Sequence, residues 1–341
     1  MKIGIATLYS SVNYGAYFQA YALQVILKNL GYDTEFFNTK TSIIDKFRNE
    51  LLLSKNYNTL VFNIKKYNNF RRSWAKLCVS KRKKHNTDYY DAVILGSDEI
   101  WNLRNDSFQH LPLYFGIGIN TKNLVTYAPS CDNTTIEQIR NDPNAQKGLS
   151  IINHFSARDE NLAGIIETLT GKKAILVLDP TMLLGDFSQF EENISLKGYI
   201  LIYTYGFNEN RVKRVKEFAR AKNLKIISVG FYYKWADMNL PASPFIFLGL
   251  IKNADYMITS TLHGVIFSMI YKKKFGVFCK GRFKVESILK EFDLSYRSLD
   301  YSSSIIEVID KEIDFLKLDN TINEKRRQSM EYLTNALSNK K

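Results

Sequence analysis

At 341 residues with a formal net charge of +13, the chain is too long for one ordinary hydrophobic core and reads as two domains. It has no run of about 18 apolar residues to span a bilayer, and its opening, Met1-Lys-Ile-Gly-Ile-Ala-Thr, lacks signal-peptide regions, so a cytoplasmic globular protein is expected. Cys78, Cys131 and Cys279 stand far apart without paired spacing, which argues against a disulfide framework and a structural zinc site.

Lys2–Thr7 reads as a buried strand, Leu8–Asn13 as a polar turn, and Gly15–Leu30 as a helix with Phe18, Tyr21, Ala22, Val25, Ile26 and Leu30 on one side. Gly31 stops the helix and Asp33–Phe37 follows as a strand, so the chain opens with a βαβ unit. The connecting loop lacks G-x-G-x-x-G, and no P-loop lysine motif occurs anywhere, which removes support for dinucleotide and nucleoside-triphosphate binding. Asn13-Tyr14-Gly15 stands there instead. Gly15 allows a ligand to approach the backbone, and Asn13 can bind polar groups or simply cap the helix.

A basic insertion follows at about residues 46–87. Between Leu51 and Thr87 there are ten lysines and arginines and no acidic residue. Leu60, Ile64, Tyr67, Phe70, Trp74 and Leu77 recur at helical spacing beside this charge. The pattern fits an interfacial helix on anionic lipid, and equally an insertion packed on its own domain with a solvated basic face. With no nucleic-acid module nearby, nucleic acid is not an expected partner.

Asp91–Leu95 is the next strand, and it runs into Gly96-Ser97-Asp98-Glu99-Ile100-Trp101-Asn102. An acidic pair directly after a buried strand is poorly explained by packing. Asp98 can bind sugar hydroxyls or take a proton from one; Ser97 or Asp98 can also cap a helix. Trp101 can stack on a sugar face or belong to the core. Strands follow at Leu124–Tyr127, Phe155–Ser156 and Ile175–Leu178, the last closed by Asp179-Pro180-Thr181. Arg158, after the second of these, can fork onto a phosphate or carboxylate, or pair with Asp159 or Glu160.

A second α/β unit begins with strand Tyr199–Tyr203, helix Asn208–Lys222 and strand Lys225–Val229. Helix Phe245–Asn253, strand Tyr256–Ser260, helix Val265–Tyr271, strand Phe275–Cys279 and helix Lys284–Phe292 continue it, and Asn320–Asn335 forms a terminal helix. Two such units, joined near residues 180–195, predict an α/β protein of two doubly wound, Rossmann-like domains facing a cleft: 1–187 with the insertion, and 188–341 with the terminal helix. The stretch Thr259-Ser-Thr-Leu-His-Gly puts His263 at the carboxyl edge of the second sheet, where ligands bind. An imidazole there suits acid–base chemistry, and the helix start offers backbone N–H groups to an anion. Lys280 and Arg282 follow the next strand and can hold an anionic donor or face solvent.

These segments together resemble the polysaccharide pyruvyl transferase family. The matches are Asn13-Tyr14-Gly15 with Gln19-Ala20-Tyr21-Ala22-Leu23, Gly96-Ser97-Asp98 with Trp101-Asn102, Ser156-Ala157-Arg158-Asp159, Asp179-Pro180-Thr181, Leu262-His263-Gly264, and the spacing Arg282, Leu289, Leu294, Arg297. The resemblance implies a glycosyltransferase-B-like fold, with the acceptor on the first domain and the donor on the second. It implies transfer of the carboxyvinyl unit of phosphoenolpyruvate to two sugar hydroxyls, giving a pyruvate ketal on a cell-surface glycan precursor, without a metal or redox cofactor. His263 and Asp98 are then the proton-transfer pair. Arg158, Lys280, Arg282, Gly264 and Thr261 border the donor, and Asn13, Tyr14, Gly15 and Trp101 the acceptor. The acceptor is expected to be a lipid-linked or nucleotide-linked sugar, with the basic segment near the inner face of the membrane. Thr261 is a departure, because members often carry a donor-binding arginine there. It keeps open a glycosyltransferase using a nucleotide-sugar; a non-catalytic glycan-binding module is the remaining alternative.

Overall fold

A computed structural model describes residues 1–39, 56–81, 88–105, 110–300 and 304–338. The first strand, β1 (Lys2–Ala6), leads through helix α1 (Tyr14–Asn29) to β2 (Asp33–Phe36). Helix α2 (Tyr57–Trp74) and the two-residue β3 (Tyr89–Tyr90) precede β4 (Ala92–Leu95), β5 (Asn120–Thr121) and β6 (Leu124–Thr126). The first sheet is parallel, in the order β2-β1-β4-β6. Every residue of β4 is buried, which is why it reads as an unbroken apolar run rather than an alternation. Helices α3 (Ile136–Asn141), α4 (Pro143–Ile151) and α5 (Glu160–Thr170) surround β7 (Ser156–Ala157) and β8 (Ile175–Leu176), which pair with each other. A bridge from Val125 to His154 joins that pair to the sheet. The short α6 (Pro180–Leu184) ends this half.

The second sheet contains β9 (Tyr199–Tyr203), β10 (Lys225–Val229), β11 (Met238–Leu240), β12 (Tyr256–Thr259) and β13 (Lys274–Val277). All its pairings are parallel, in the order β11-β10-β9-β12-β13. Helices α7 (Glu209–Lys222), α8 (Pro244–Asn253) and α9 (Leu262–Ile270) connect these strands, and α10 (Phe283–Glu291) and α11 (Ile305–Ile309) follow the last of them. The chain reverses direction across the first sheet between β1 and β4, and across the second between β9 and β12. Loops at the carboxyl ends of strands flanking such switch points are where doubly wound sheets hold ligands.

Helix α1 is buried along nearly its whole length because it packs on both domains. Phe18 meets Phe187 and Phe267 edge to face, and Tyr14 stacks on Phe247 with ring centroids 4.2 Å apart. An apolar joint of this kind holds two domains at a set angle better than a polar contact does. The final helix, α12 (Phe315–Ser338), is tied to the second domain in its first half, as by Lys272 to Asp319 and Lys325 to Glu291, but does not stay there. It returns to the first: Leu178 N–H donates to Ser329 Oγ (2.9 Å), Tyr332 OH to the Thr126 carbonyl (2.8 Å), and Asn123 Nδ2 to the Ala336 carbonyl (2.8 Å).

The basic insertion is helical over Tyr57–Trp74, as expected, and residues 75–81 are not; residues 46–55 and 82–87 lie outside the described residues. Its apolar side is covered by protein. Phe70 and Trp74 are buried, and Phe62 packs on Tyr232. Lys66 is buried too; its Nζ donates to the Gly230 carbonyl at 2.9 Å and lies near the Tyr14, Phe70 and Phe231 rings. Asn69 Nδ2 donates to the Pro241 carbonyl at 2.6 Å. The insertion therefore rests on the second domain as well as its own. No described helix is long and apolar enough to cross a membrane.

Candidate active site

Asn13 accepts hydrogen bonds from Gly15 N–H (2.8 Å) and Ala16 N–H (3.2 Å) through Oδ1, capping α1, while its Nδ2 donates to Tyr205 OH at 3.0 Å. One amide thus caps the helix and also crosses to the loop after β9. Gly15 sits against His263. A β-carbon built on Gly15 falls 2.6 Å from the imidazole Cγ and 2.8 Å from Cε1, and closer still to Nδ1. Only a residue without a side chain lets the two domains meet here.

Asp98, after β4, has a left-handed backbone (φ 74°), a conformation that aspartate tolerates better than most residues. The loop before it is tied to α1 through Gln19. Ser97 Oγ donates to Gln19 Oε1 (2.6 Å), Thr7 Oγ1 donates to the Ser97 carbonyl (2.8 Å), and Gln19 Nε2 donates to the Leu8 carbonyl (2.9 Å). This rigid base sets Asp98 Oδ1 at 3.7 Å from Arg158 Nη2.

Arg158 is the centre of the cluster. Its side chain is 8% exposed, with Nη1 3.0 Å from Asp179 Oδ2. Burial opposes its charge, but Asp179, Asp98 and Asp159 outweigh burial and raise its pKa further. Asp179 lies beyond β8 as the N-cap of α6. Its Oδ1 accepts from Thr181 N–H (3.0 Å) and Thr181 Oγ1 (2.7 Å). Its Oδ2 faces Arg158 and also His263 Nε2, which is 3.5 Å away. Burial works against ionisation of this carboxyl, yet His263, Arg158 and the Thr181 hydroxyl hold it well below the ordinary carboxylate range.

His263 stands in the first turn of α9, earlier than the expected helix start, and its side chain is 9% exposed. The hydroxyl-rich turn before it is taken up by the fold. Thr261 Oγ1 accepts from Gly264 N–H (2.9 Å) and lies 3.1 Å from Thr259 Oγ1, so Thr261 caps α9. A side chain on Gly264 would meet Thr259 and Thr261. The expected donor contacts of Thr261 and Gly264 are corrected accordingly: their polar groups already satisfy each other.

Across the cleft, Lys284 Nζ pairs with Glu99 Oε1, and Glu99 Oε2 accepts from Asn102 Nδ2 at 2.8 Å. Burial lowers the Lys284 pKa while Asp98 opposes that shift. Arg158, Asp179 and Met182 line one wall of the cleft, and Leu262, Lys284 and Ile288 the other. Arg282 places its guanidinium 5.2 Å from the Tyr205 ring centroid, at the Asn13 end. Lys280 is exposed, and its backbone N–H donates to Asp300 Oδ2 at 2.8 Å.

Two expected acceptor contacts are corrected. Tyr14 is fully buried, with its OH donating to the Ala242 carbonyl (2.9 Å) and its ring on Phe247. Trp101 is fully buried, with Nε1 donating to the Tyr114 carbonyl (2.8 Å) and its ring stacked on Phe115. Neither has a free face for a sugar. Arg297, from the C-terminal spacing, is also fully buried, and Nη1 donates to the Val308 and Ile309 carbonyls at the end of α11. The structure thus brings Asn13, Gly15, Asp98, Arg158 and His263 together and adds Asp179, Glu99 and Lys284, which sequence reasoning did not select. The available signals were the Asp-Pro-Thr that closes β8 and the acidic pair after β4.

The sequence model of one family, Polysaccharide pyruvyl transferase, matches residues 13–278. No curated protein matches the chain. Among solved structures, a putative UDP-N-acetylglucosamine 2-epimerase from Listeria monocytogenes is similar with a TM-score of 0.53 at 8% identity, over 96% of this chain and 90% of that one. The MnaA–UDP structure from S. aureus is similar with a TM-score of 0.51 at 11% identity, over 99% and 97%. The UDP-GlcNAc 2-epimerase of Methanocaldococcus jannaschii, in complex with UDP-GlcNAc and UDP, gives 0.50 at 15% identity, over 99% of both chains. At such identities the likeness shows the fold, which is glycosyltransferase-B-like.

Proposed function

The chain belongs to the polysaccharide pyruvyl transferase family, and we propose that it moves the pyruvyl unit of phosphoenolpyruvate onto two hydroxyls of a sugar in a cell-surface glycan precursor. The observation that carries this reading is the buried cluster of Arg158, Asp179, His263 and Asp98 at the edge where both sheets present their ligand loops. Phosphoenolpyruvate brings a phosphate and a carboxylate. Arg158 Nη2 is buried and has no hydrogen-bond partner, so it can take one anionic oxygen; Lys284 borders the same space. The first hydroxyl oxygen bonds to C2 of the donor as C3 gains a proton from His263 and Asp98 takes the hydroxyl proton. The second hydroxyl then displaces phosphate from C2. The second hydroxyl proton restores His263, and Asp98 passes its proton to the departing phosphate, so both groups return to their starting forms. Each positioned proton-transfer group is worth about 10²–10⁴ in rate.

A nucleotide-sugar donor is the second reading, favoured by Thr261, which offers no cation where members often carry arginine. Thermal-shift titration separates the two, since a ligand of the native state raises its apparent stability. Stabilisation by phosphoenolpyruvate, with acceptor-dependent phosphate release across a panel of nucleotide-linked and lipid-linked sugars, is expected. Stabilisation by nucleotide-sugars alone overturns the pyruvyl reading. Glycan binding with no response to any donor would favour a binding module.

A further inference from the structure

We propose that Asp179 is the positioning residue for His263, holding Nε2 so that Nδ1 is the nitrogen that delivers the proton. The inference rests on the reading that His263 serves the transfer step. Asp179 cannot turn freely, because Oδ1 is bound by both the N–H and the hydroxyl of Thr181 at the start of α6. That fixes Oδ2, which Arg158 Nη1 approaches from one side at 3.0 Å and His263 Nε2 from another at 3.5 Å. Asp179 is 3% exposed, so neither contact is diluted by water. His263 Nε2 is itself buried without a formed hydrogen bond. A contact of this length that tightens when substrate binds is usual for groups that transfer protons.

Elimination then assigns the second nitrogen. With Nε2 committed to a carboxylate, Nδ1 is the nitrogen left for a substrate. Gly15 packs against the ring beside Nδ1, and a side chain in its place would fill the space at that nitrogen. In the imidazolium both nitrogens carry protons. Loss of the Nδ1 proton to C3 of the donor leaves the neutral form protonated on Nε2, which is the form a fixed carboxylate prefers. A base oriented by a third group is a recurring arrangement in proton-transfer sites.

The test uses the full chain with ¹⁵N-labelled histidine. Four histidines are present, and His263→Gln identifies the relevant signals. The expected spectrum of the neutral ring shows the Nε2–H tautomer for His263, and phosphoenolpyruvate shifts its Nδ1 resonance more than Nε2. In Asp179→Asn the preference for that tautomer disappears. A wild-type ring protonated on Nδ1, or a ligand shift confined to Nε2, overturns the proposal whether or not the variant folds. UDP is titrated separately. If UDP shifts Nδ1 and phosphoenolpyruvate does not, the donor reading falls while the positioning role stands. If neither probe moves Nδ1, the delivery role is refuted.

Discussion

Gly15→Ala tests the site with a single methyl group. In the second position of α1, alanine ordinarily favours a helix over glycine by up to about 1 kcal/mol. Here the new carbon would lie 2.6 Å from His263 Cγ, roughly 1 Å short of ordinary contact at about 3.5 Å. Overpacking of this size costs about 1–3 kcal/mol, so propensity offsets strain only in part, and the net loss of stability is at most about 3 kcal/mol. The imidazole cannot absorb the shift and still keep its place 3.5 Å from Asp179. A misplacement of about 1 Å in a reacting group costs on the order of 10²-fold in rate. The expected result is therefore a large fall in acceptor-dependent phosphate release with a modest change in thermal unfolding. Turnover within twofold of wild type would refute the placement of His263 in the reaction, because the imidazole must shift to admit the new carbon.

Asp179→Asn leaves Arg158 buried beside a neutral group and is expected to cost about 3–5 kcal/mol at pH 7. Because the Asp179 carboxyl is held below its ordinary value, its contribution is complete above about pH 4 and fades as pH falls; urea unfolding should find the gap between variant and wild type narrowed by about 1 kcal/mol at pH 3. Tyr14→Phe removes one buried hydrogen bond to Ala242 and should cost about 1 kcal/mol in stability with turnover unchanged, whereas a tenfold fall in turnover would restore Tyr14 to the acceptor site. Lys66→Met keeps the bulk of the side chain but loses the charged hydrogen bond to Gly230, worth about 1.5–3 kcal/mol; an unaltered denaturation midpoint would show that α2 is held by its aromatic contacts alone. Lys65, Arg71 and Arg72 are exposed on α2 while its apolar side is covered, so any attachment to anionic vesicles should be electrostatic and vanish in high salt; equal co-sedimentation with neutral vesicles would contradict this.

The two sheets were legible because their central strands are covered on both faces. Tyr199–Tyr203 and Lys225–Val229 match the expected strands residue for residue, since continuous β-branched and aromatic runs leave little choice of period. The packing of α1 was only half legible. Its sequence showed an apolar side, but Tyr14, Phe18 and Tyr17 are buried by residues more than 160 positions away, in the second domain. The same physics hid the docking of α2. A lysine in a basic run reads as solvated, and burial of Lys66 is made tolerable by partners distant in sequence, among them the carbonyl of Gly230 and the Phe231 ring. Helix α12 carries the alternation of a surface helix, which says that one face is covered but not which domain covers it.

Site residues were legible where the backbone position alone implied chemistry, as for His263 and Asp98 at strand ends. They were not where a role depends on what lies opposite. Thr261 and Trp101 have side chains suited to ligands, yet a helix cap and a core stack consume them. Asp179 looked like a turn residue and is the carboxylate on which Arg158 and His263 converge. Charge makes the same point. The chain is strongly basic, but within the cleft Asp98, Asp179 and Glu99 stand against Arg158 and Lys284. An anionic donor gains little from the overall charge at that depth, because salt screens exposed lysines beyond about 10 Å. It must instead meet Arg158 Nη2, which has no hydrogen-bond partner, in competition with the carboxylates beside it. Specificity in such a site comes from which internal ion pairs a ligand can replace, and that property belongs to the assembled cleft rather than to any one segment of sequence.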